Sequence, residues 1–379
     1  MKQIYLDNAA TTYPKPESVR NSVNRALQIF GANPGRGSYE MAENTSMMIY
    51  RTREKFAKFF NLSKLENVVF TKSCTEAVNI VAFSKLKPND HVVISDLEHN
   101  CVIRPLHELS KIGVSYSVFE TFEDDDETLN SLRQTITDKT KLMICTAASN
   151  VFGFKLPISR LCALCHIYGV ETCIDAAQLA GIQTIDMDNN SIDYLCVPSH
   201  KGLYGIMGCG ALLCRNNDLK PIVYGGTGIL SKELDMPSDL PEKLESGTAN
   251  VAGITSISAG LDFVKLVGMN KIANYEMKHI QKIYAELEQI STIDLYSKMP
   301  SLSHFSPVLS FNVKGKTPED VSEFLASKNI CVRSGFHCSP LAHKKMKTEN
   351  GTVRISPSAF TTNAEIDYFV NIIKKYAKI

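Results

Sequence analysis

Between about residues 65 and 215, short apolar runs rich in β-branched residues (NVVF, HVVI, VSYSVF, KLMICT, VETCI, DYLCV and GALLC) alternate with longer segments of helical character. Unbroken apolar runs of this length suit strands buried on both faces, and their alternation with helices is the pattern of a parallel sheet with helices on either side. The chain is therefore expected to be α/β, with a large domain built on a mostly parallel seven-stranded sheet flanked by helices. In such sheets reactive groups collect at the carboxyl ends of the strands. That places Ser73 to Glu76, Glu98 to Asn100, Ser149 to Asn150, Asp175 to Gln178 and Pro198 to Lys201 first in line for chemistry.

Residues 215–250 are rich in Gly, Pro and Ser, and a connection this long is usually functional or interfacial. Two helical segments follow, near 251–268 and 270–291, and then a smaller α+β pattern with strands near 308–313, 330–333 and 352–355. Residues 1–255 are expected to hold an N-terminal segment and the large domain, and residues 256–379 the connecting helices and a small C-terminal domain.

Charge narrows the function classes. With 41 basic against 40 acidic side chains the net charge is +1, which leaves no electrostatic pull toward nucleic acid or a membrane surface. No stretch reaches the roughly 18 apolar residues of a membrane span, and no apolar signal core follows the first lysine, so a cytoplasmic location is expected. Eleven cysteines spread over 379 residues read as reduced thiols rather than a disulfide framework. They do not cluster at metal-ligand spacings, so no metal site is expected. The CxxC formed by Cys162 and Cys165 falls inside the helix-like PISRLCALCHIYG and reads as core packing.

In SHKGLYG, Lys201 follows a strand and precedes a glycine-punctuated turn, a place where its amine could form a Schiff base. Asp175 ends the run ETCI, so its carboxylate stands at the end of a neighbouring strand and could pair with a pyridinium nitrogen. TKSCTEAVN puts small polar residues just before a helix, where free N–H groups and the helix dipole favour a phosphate. Each signal alone has a plainer reading: a solvated lysine, a helix-capping aspartate, an N-cap at SCTE. Lysine, buried acid and phosphate cup in this order on an α/β chain are together what pyridoxal 5'-phosphate requires.

The segments YLDNAATT, ASNVFG, IDAAQ, SHKGLYG, ESGTAN and RSGFHC occur in that order, from Tyr5 to VRISPSAFTT at residue 353. In them the chain resembles the class V aminotransferase-fold enzymes of fold type I, which use pyridoxal phosphate, and within these the second group of cysteine desulfurases and selenocysteine lyases. The resemblance implies that Lys201 bonds the cofactor and moves protons at the substrate Cα, and that Asp175 keeps the ring nitrogen protonated. It gives His99 a stacking and proton-transfer role, Asn150 a part in positioning substrate or cofactor, and Gln178 a hydrogen bond to the phenolic oxygen. The phosphate would lie against Cys74, Thr75, Ser199 and His200, and against Thr248 reaching across from a second subunit, which implies a homodimer. Pro198 and Ser199 stand where many members carry a hydroxyl residue and a glycine, which leaves open which hydroxyl meets the phosphate.

Taking sulfur from an amino acid needs a thiolate, and an ordinary thiol with a pKa of about 8.5 is mostly protonated at neutral pH unless positive charge is near. RSGFHC offers Cys338 with Arg333 and His337 close in sequence. The resemblance makes Cys338 the persulfide carrier, Arg354 the ligand of the substrate carboxylate through its planar guanidinium, and Arg36 a further substrate contact. The reading is a desulfurase converting L-cysteine to L-alanine and handing sulfur on, with an acceptor protein as a possible partner and LAHKKMK as a basic rim or merely solvated surface. The alternatives are a selenocysteine lyase acting on L-selenocysteine, a class V transaminase in which Cys338 is incidental, and a non-enzymatic thiol protein.

Overall fold

The computed structural model describes residues 3–35 and 37–377. Its strands are β1 (Ile4–Tyr5), β2 (Val68–Thr71), β3 (His91–Ser95), β4 (Ser115–Phe119), β5 (Thr140–Thr146), β6 (Glu171–Asp175), β7 (Tyr194–Pro198), β8 (Gly210–Cys214), β9 (Ile293–Leu295), β10 (Leu309–Val313), β11 (Ile330–Cys331), β12 (Arg333–Gly335) and β13 (Thr352–Ile355). The helices are α1 (Glu17–Ile29), α2 (Glu40–Phe59), α3 (Cys74–Lys85), α4 (Asn100–Ser110), α5 (Asp125–Thr135), α6 (Ile158–Ile167), α7 (Val251–Val267), α8 (Met269–Leu287), α9 (Pro318–Ser327), α10 (Pro340–Lys345) and α11 (Asn363–Tyr376).

All seven apolar runs are strands of one sheet, in the order β2-β8-β7-β6-β5-β3-β4. The pairs from β7 to β4 are parallel, and β8 alone runs against its neighbours. Successive side chains of a strand point to opposite faces. Val93, Met143, Ile174 and Leu195 accordingly enter one core, and Val92, Leu142, Cys173 and Cys196 the other. With both faces covered, these runs have no polar alternation. The edge strand β4 is the exception, and most of its residues are exposed or half-buried.

Beyond β8 the chain runs without helix or strand to α7. Helices α7 and α8 lie where their periodicity predicts them, with α8 ending at Leu287. The expected strand near 330–333 splits into β11 and β12, and β9 joins as an unanticipated fourth strand of the C-terminal sheet, whose order is β12-β13-β10-β9. Phe311 and Val353 of that sheet pack on Ile280 of α8, Val321 of α9 and Phe369 of α11. Capping boxes at Thr317 with Asp320 and at Thr362 with Glu365 start α9 and α11.

The N-terminal segment crosses between the layers. Strand β1 pairs in parallel with β11, and Ser356 N donates to Leu6 O at 2.7 Å. A few residues later Thr12 N donates to His200 O at 2.9 Å, beside Lys201. Among the described residues no single helix is long and apolar enough to cross a membrane.

Candidate active site

Strands β3, β5, β6 and β7 all deliver a site segment from their carboxyl ends. Asp175, the last residue of β6, is buried. Its Oδ1 accepts from Ala177 N at 2.9 Å and from Cys74 Sγ at 3.2 Å, and its Oδ2 accepts from Cys101 Sγ at 3.3 Å. Lys201 follows the end of β7. Burial pushes its amine below the ordinary value, and the Asp175 carboxylate partly offsets that fall. The turn holding Lys201 is pressed against the loop after β6: a Cβ on Gly202 would run into the Ala180 carbonyl oxygen. On the other side Gly210 is equally confined, since a Cβ there would lie 2.8 Å from Val197 O and 3.2 Å from Cys74 N. Glycine at these two positions lets the Lys201 turn and the start of α3 close on the Asp175 strand end.

His99 is the N-cap of α4, and its Nδ1 accepts from Cys101 N at 3.0 Å. Burial depresses its pKa, so the ring is neutral with its proton on Nε2. Gln178 donates to Ala9 O at 3.0 Å and lines a small cavity with Lys201 and Asn8. His200 has a buried Nδ1 with no partner among the described residues, and burial with the nearby Lys201 and Lys15 amines pushes its pKa down to about 4. Ser73 caps α3 by accepting from Glu76 N, leaving the Cys74 and Thr75 amides in the unpaired first turn, and Thr75 is exposed. Ser199 is fully buried and its hydroxyl donates to Ile206 O, so its one proton is spent inside the turn. Thr248 stands apart from Lys201, on a cavity of about 680 Å³ shared with Gly35, Arg53 and Glu76. Arg36 lies outside the described residues.

Cys338 is exposed on the turn between β12 and α10, with Arg333 Nη2 at 3.8 Å from its sulfur. His337, the other expected source of positive charge, turns inward instead. It is buried, its Nε2 lies 3.0 Å from Thr352 O, and burial with the Arg354 charge pushes its pKa down to about 2, so it is neutral. Asn150 grips this turn: its Nδ2 donates to His337 O at 2.7 Å and its Oδ1 accepts from Ser339 Oγ at 2.6 Å. Asn100 N donates to Cys338 O at 2.7 Å. His337 and Cys338 both have positive φ, 49° and 60°, a strained conformation that these contacts hold in place. Arg354 is buried; its Nη1 donates to Asn150 O at 2.8 Å and its Nη2 to Asp7 Oδ1 at 2.7 Å, while Nε has no partner among the described residues.

A half-buried lysine with a depressed pKa, a buried carboxylate beside it, a helix N-terminus and, among the described residues, unpartnered nitrogens on His200 and Arg354 suit a phosphorylated pyridine aldehyde and an amino-acid carboxylate. Sequence reasoning gave Cys74 and Cys101 no thiol contact, and in the structure both sulfurs reach Asp175. It also overlooked Asp7 as the partner of Arg354, and Lys15, whose amine reaches Thr12 Oγ1 at 2.7 Å and is pushed down to about 7 by burial. Of the LAHKKMK lysines, Lys345 faces inward to Asp96 at 2.7 Å. Cys162 and Cys165 are buried in the core, as expected of packing residues.

Comparison with known proteins agrees with this arrangement. The chain is 31% identical to a probable cysteine desulfurase of Methanothermobacter thermautotrophicus, covering 99% of this chain and 94% of the relative. A probable cysteine desulfurase of Synechocystis is 29% identical over 98% of this chain and 90% of its own length. Among solved structures, the apo cysteine desulfurase of Thermococcus onnurineus superposes with a TM-score of 0.92 at 28% identity, covering 99% of this chain and 95% of that one. The model of the aminotransferase class-V family matches residues 4–369, nearly the whole sheet, turn and C-terminal layer just described, and the chain belongs to that family.

Proposed function

We propose that this protein is a pyridoxal-phosphate-dependent cysteine desulfurase, converting L-cysteine to L-alanine and keeping the sulfur as a persulfide on Cys338. One observation carries the reading. An exposed thiol, with a guanidinium 3.8 Å from its sulfur, sits on a turn whose flanking residues are bonded by the same Asn150 whose carbonyl receives Arg354. The names of the relatives support the substrate, and the chain divides in this reading into two domains near residue 255.

When bound, the cofactor supplies an electron sink for the substrate Cα. Lys201 would hold the cofactor and, as a free amine, would move a proton at Cα; its depressed pKa favours the neutral amine this requires. Asp175 would hold the ring nitrogen, His99 would offer Nε2–H, and Gln178 would supply a hydrogen bond from the cavity wall. The phosphate is assigned to the start of α3 and to His200; the buried Ser199 hydroxyl is not needed for it. Arg354 has Nε free to receive the substrate carboxylate, with Asp7 and Asn150 fixing its plane. Arg333 Nη2 stands 3.8 Å from the Cys338 sulfur, which would bond to the substrate sulfur as the carbon–sulfur bond breaks and its electron pair passes to the substrate carbon. The exposed persulfide is then open to an acceptor thiol or protein.

Thr248 completes the phosphate site of a second copy in this reading. It is supported by the exposed Tyr50, Val223 and Ile229 lining the Thr248 cavity, an apolar surface suited to a homodimer. Free thiols at all eleven cysteines suit a reducing, cytoplasmic setting.

The test is a single turnover with L-cysteine, quenched and read by peptide mass spectrometry. Sulfur added at Cys338 with matching alanine is the expected result. Alanine without it would remove Cys338 from the mechanism. Turnover only with L-selenocysteine would make the protein a selenocysteine lyase, and a keto acid without sulfide a transaminase.

A further inference from the structure

Asp175 is held by sulfur. Its two carboxylate oxygens each receive a thiol, Cys74 on Oδ1 and Cys101 on Oδ2, and the one backbone donor is Ala177 N. The two cysteines come from different elements, Cys74 as the first residue of α3 and Cys101 in the first turn of α4, so the contacts triangulate the carboxylate from two helix starts. We propose that Cys74 and Cys101 are positioning residues that fix the plane of Asp175 and set how strongly it binds the nitrogen it would hold. This rests on the desulfurase reading only in that the nitrogen belongs to the bound cofactor.

The physical argument lies in the donor. A hydrogen bond to a carboxylate stabilises its charged form and makes it a weaker base. A thiol is a much weaker donor than a hydroxyl. Two S–H groups therefore orient the carboxylate while drawing off little of its charge, whereas hydroxyls in the same places would draw more. Burial and the Asp175 charge both push the Cys74 and Cys101 thiols well above their ordinary values, so they remain neutral donors. The other titratable groups facing Asp175 are His99 and Glu98 before α4, Lys201, and Cys196 of β7. Cys101 has a second task, because its backbone N–H fixes the His99 tautomer while its sulfur holds Asp175. One residue thus sets two of the groups assigned to the cofactor.

The experiment is a pH titration of the lysine-bound cofactor's absorbance in the holoenzyme, for wild type, Cys74→Ser, Cys101→Ser, Cys74→Ala and Cys101→Ala. A stronger donor weakens Asp175 as a base, loosens the ring-nitrogen proton, and leaves the ring less electron-withdrawing. The serine variants should therefore titrate at a higher midpoint than wild type. Removing the donor acts the other way, and the alanine variants should titrate lower. Opposite shifts from serine and alanine are the expected signature, since loss of packing alone moves both variants the same way. Midpoints equal to wild type, or serine and alanine moving together, would overturn the proposal. A second readout needs no cofactor: the infrared S–H stretching bands of the two thiols should lie shifted toward stronger hydrogen bonding and move back in Asp175→Asn. Bands that ignore Asp175→Asn would also overturn it. Absence of any Lys201-dependent absorbance would sink the cofactor reading instead, and the infrared bands would still decide the thiol contacts.

Discussion

Glu98 sits immediately before His99, wholly buried, with Oε1 accepting from Thr146 N at 2.8 Å and Oε2 without a partner. Burial pushes its carboxyl up to about 8 from an ordinary 4.5. Between those values the folded protein keeps a proton that the unfolded chain releases, so wild-type stability falls as pH rises through that window and levels off above it. Glu98→Gln copies the protonated acid, and its stability relative to wild type should climb across the same window, as urea midpoints at several pH values will show. His337 works in the opposite sense. Held neutral down to about pH 2, it should cost stability progressively as pH falls below the ordinary histidine value of 6.5, and His337→Asn should flatten that acid limb. Lys201 and Asp175 were legible because chemistry gathers at strand ends. The thiols on Asp175 and the inward turn of His337 were not, because each depends on a contact between segments that local periodicity does not connect. Asp7 and Arg354 are 347 positions apart.

At the scale of elements, the apolar runs sufficed for the central sheet, since every strand buried on both faces announces itself by composition. The C-terminal sheet was harder to read. Strand β9 is three residues long and β12 is Arg-Ser-Gly, and short strands of that kind are defined by their partners. The turn between β12 and α10 has no regular structure of its own and takes its shape from Asn150 and Asn100. Asn150→Ala removes two buried hydrogen bonds and should cost about 1–3 kcal/mol. Amide exchange should quicken at residues 337–339 while β10 keeps its protection, which hydrogen-exchange mass spectrometry resolves. At the far end, Thr362→Ala deletes the capping box of α11 and should cost about 1 kcal/mol in chemical denaturation without altering the site.

For the whole molecule, the open question of partnership centres on the cavity that Thr248 shares with Tyr50, Val223 and Ile229. Sedimentation should give twice the mass of one chain, and Tyr50→Asp with Val223→Asp should drive it toward one. The crossing of the first residues has a further consequence, for synthesis. Strand β1 leaves the ribosome long before its partner β11, and Asp7 finds its arginine only when residue 354 has been made. The sheet around Lys201 can fold while the chain is still growing, yet the arginine end of the site stays unbuilt until residue 354 emerges. A nascent chain that has already shaped its lysine pocket would then still lack Arg354, the group proposed to grip an amino acid there.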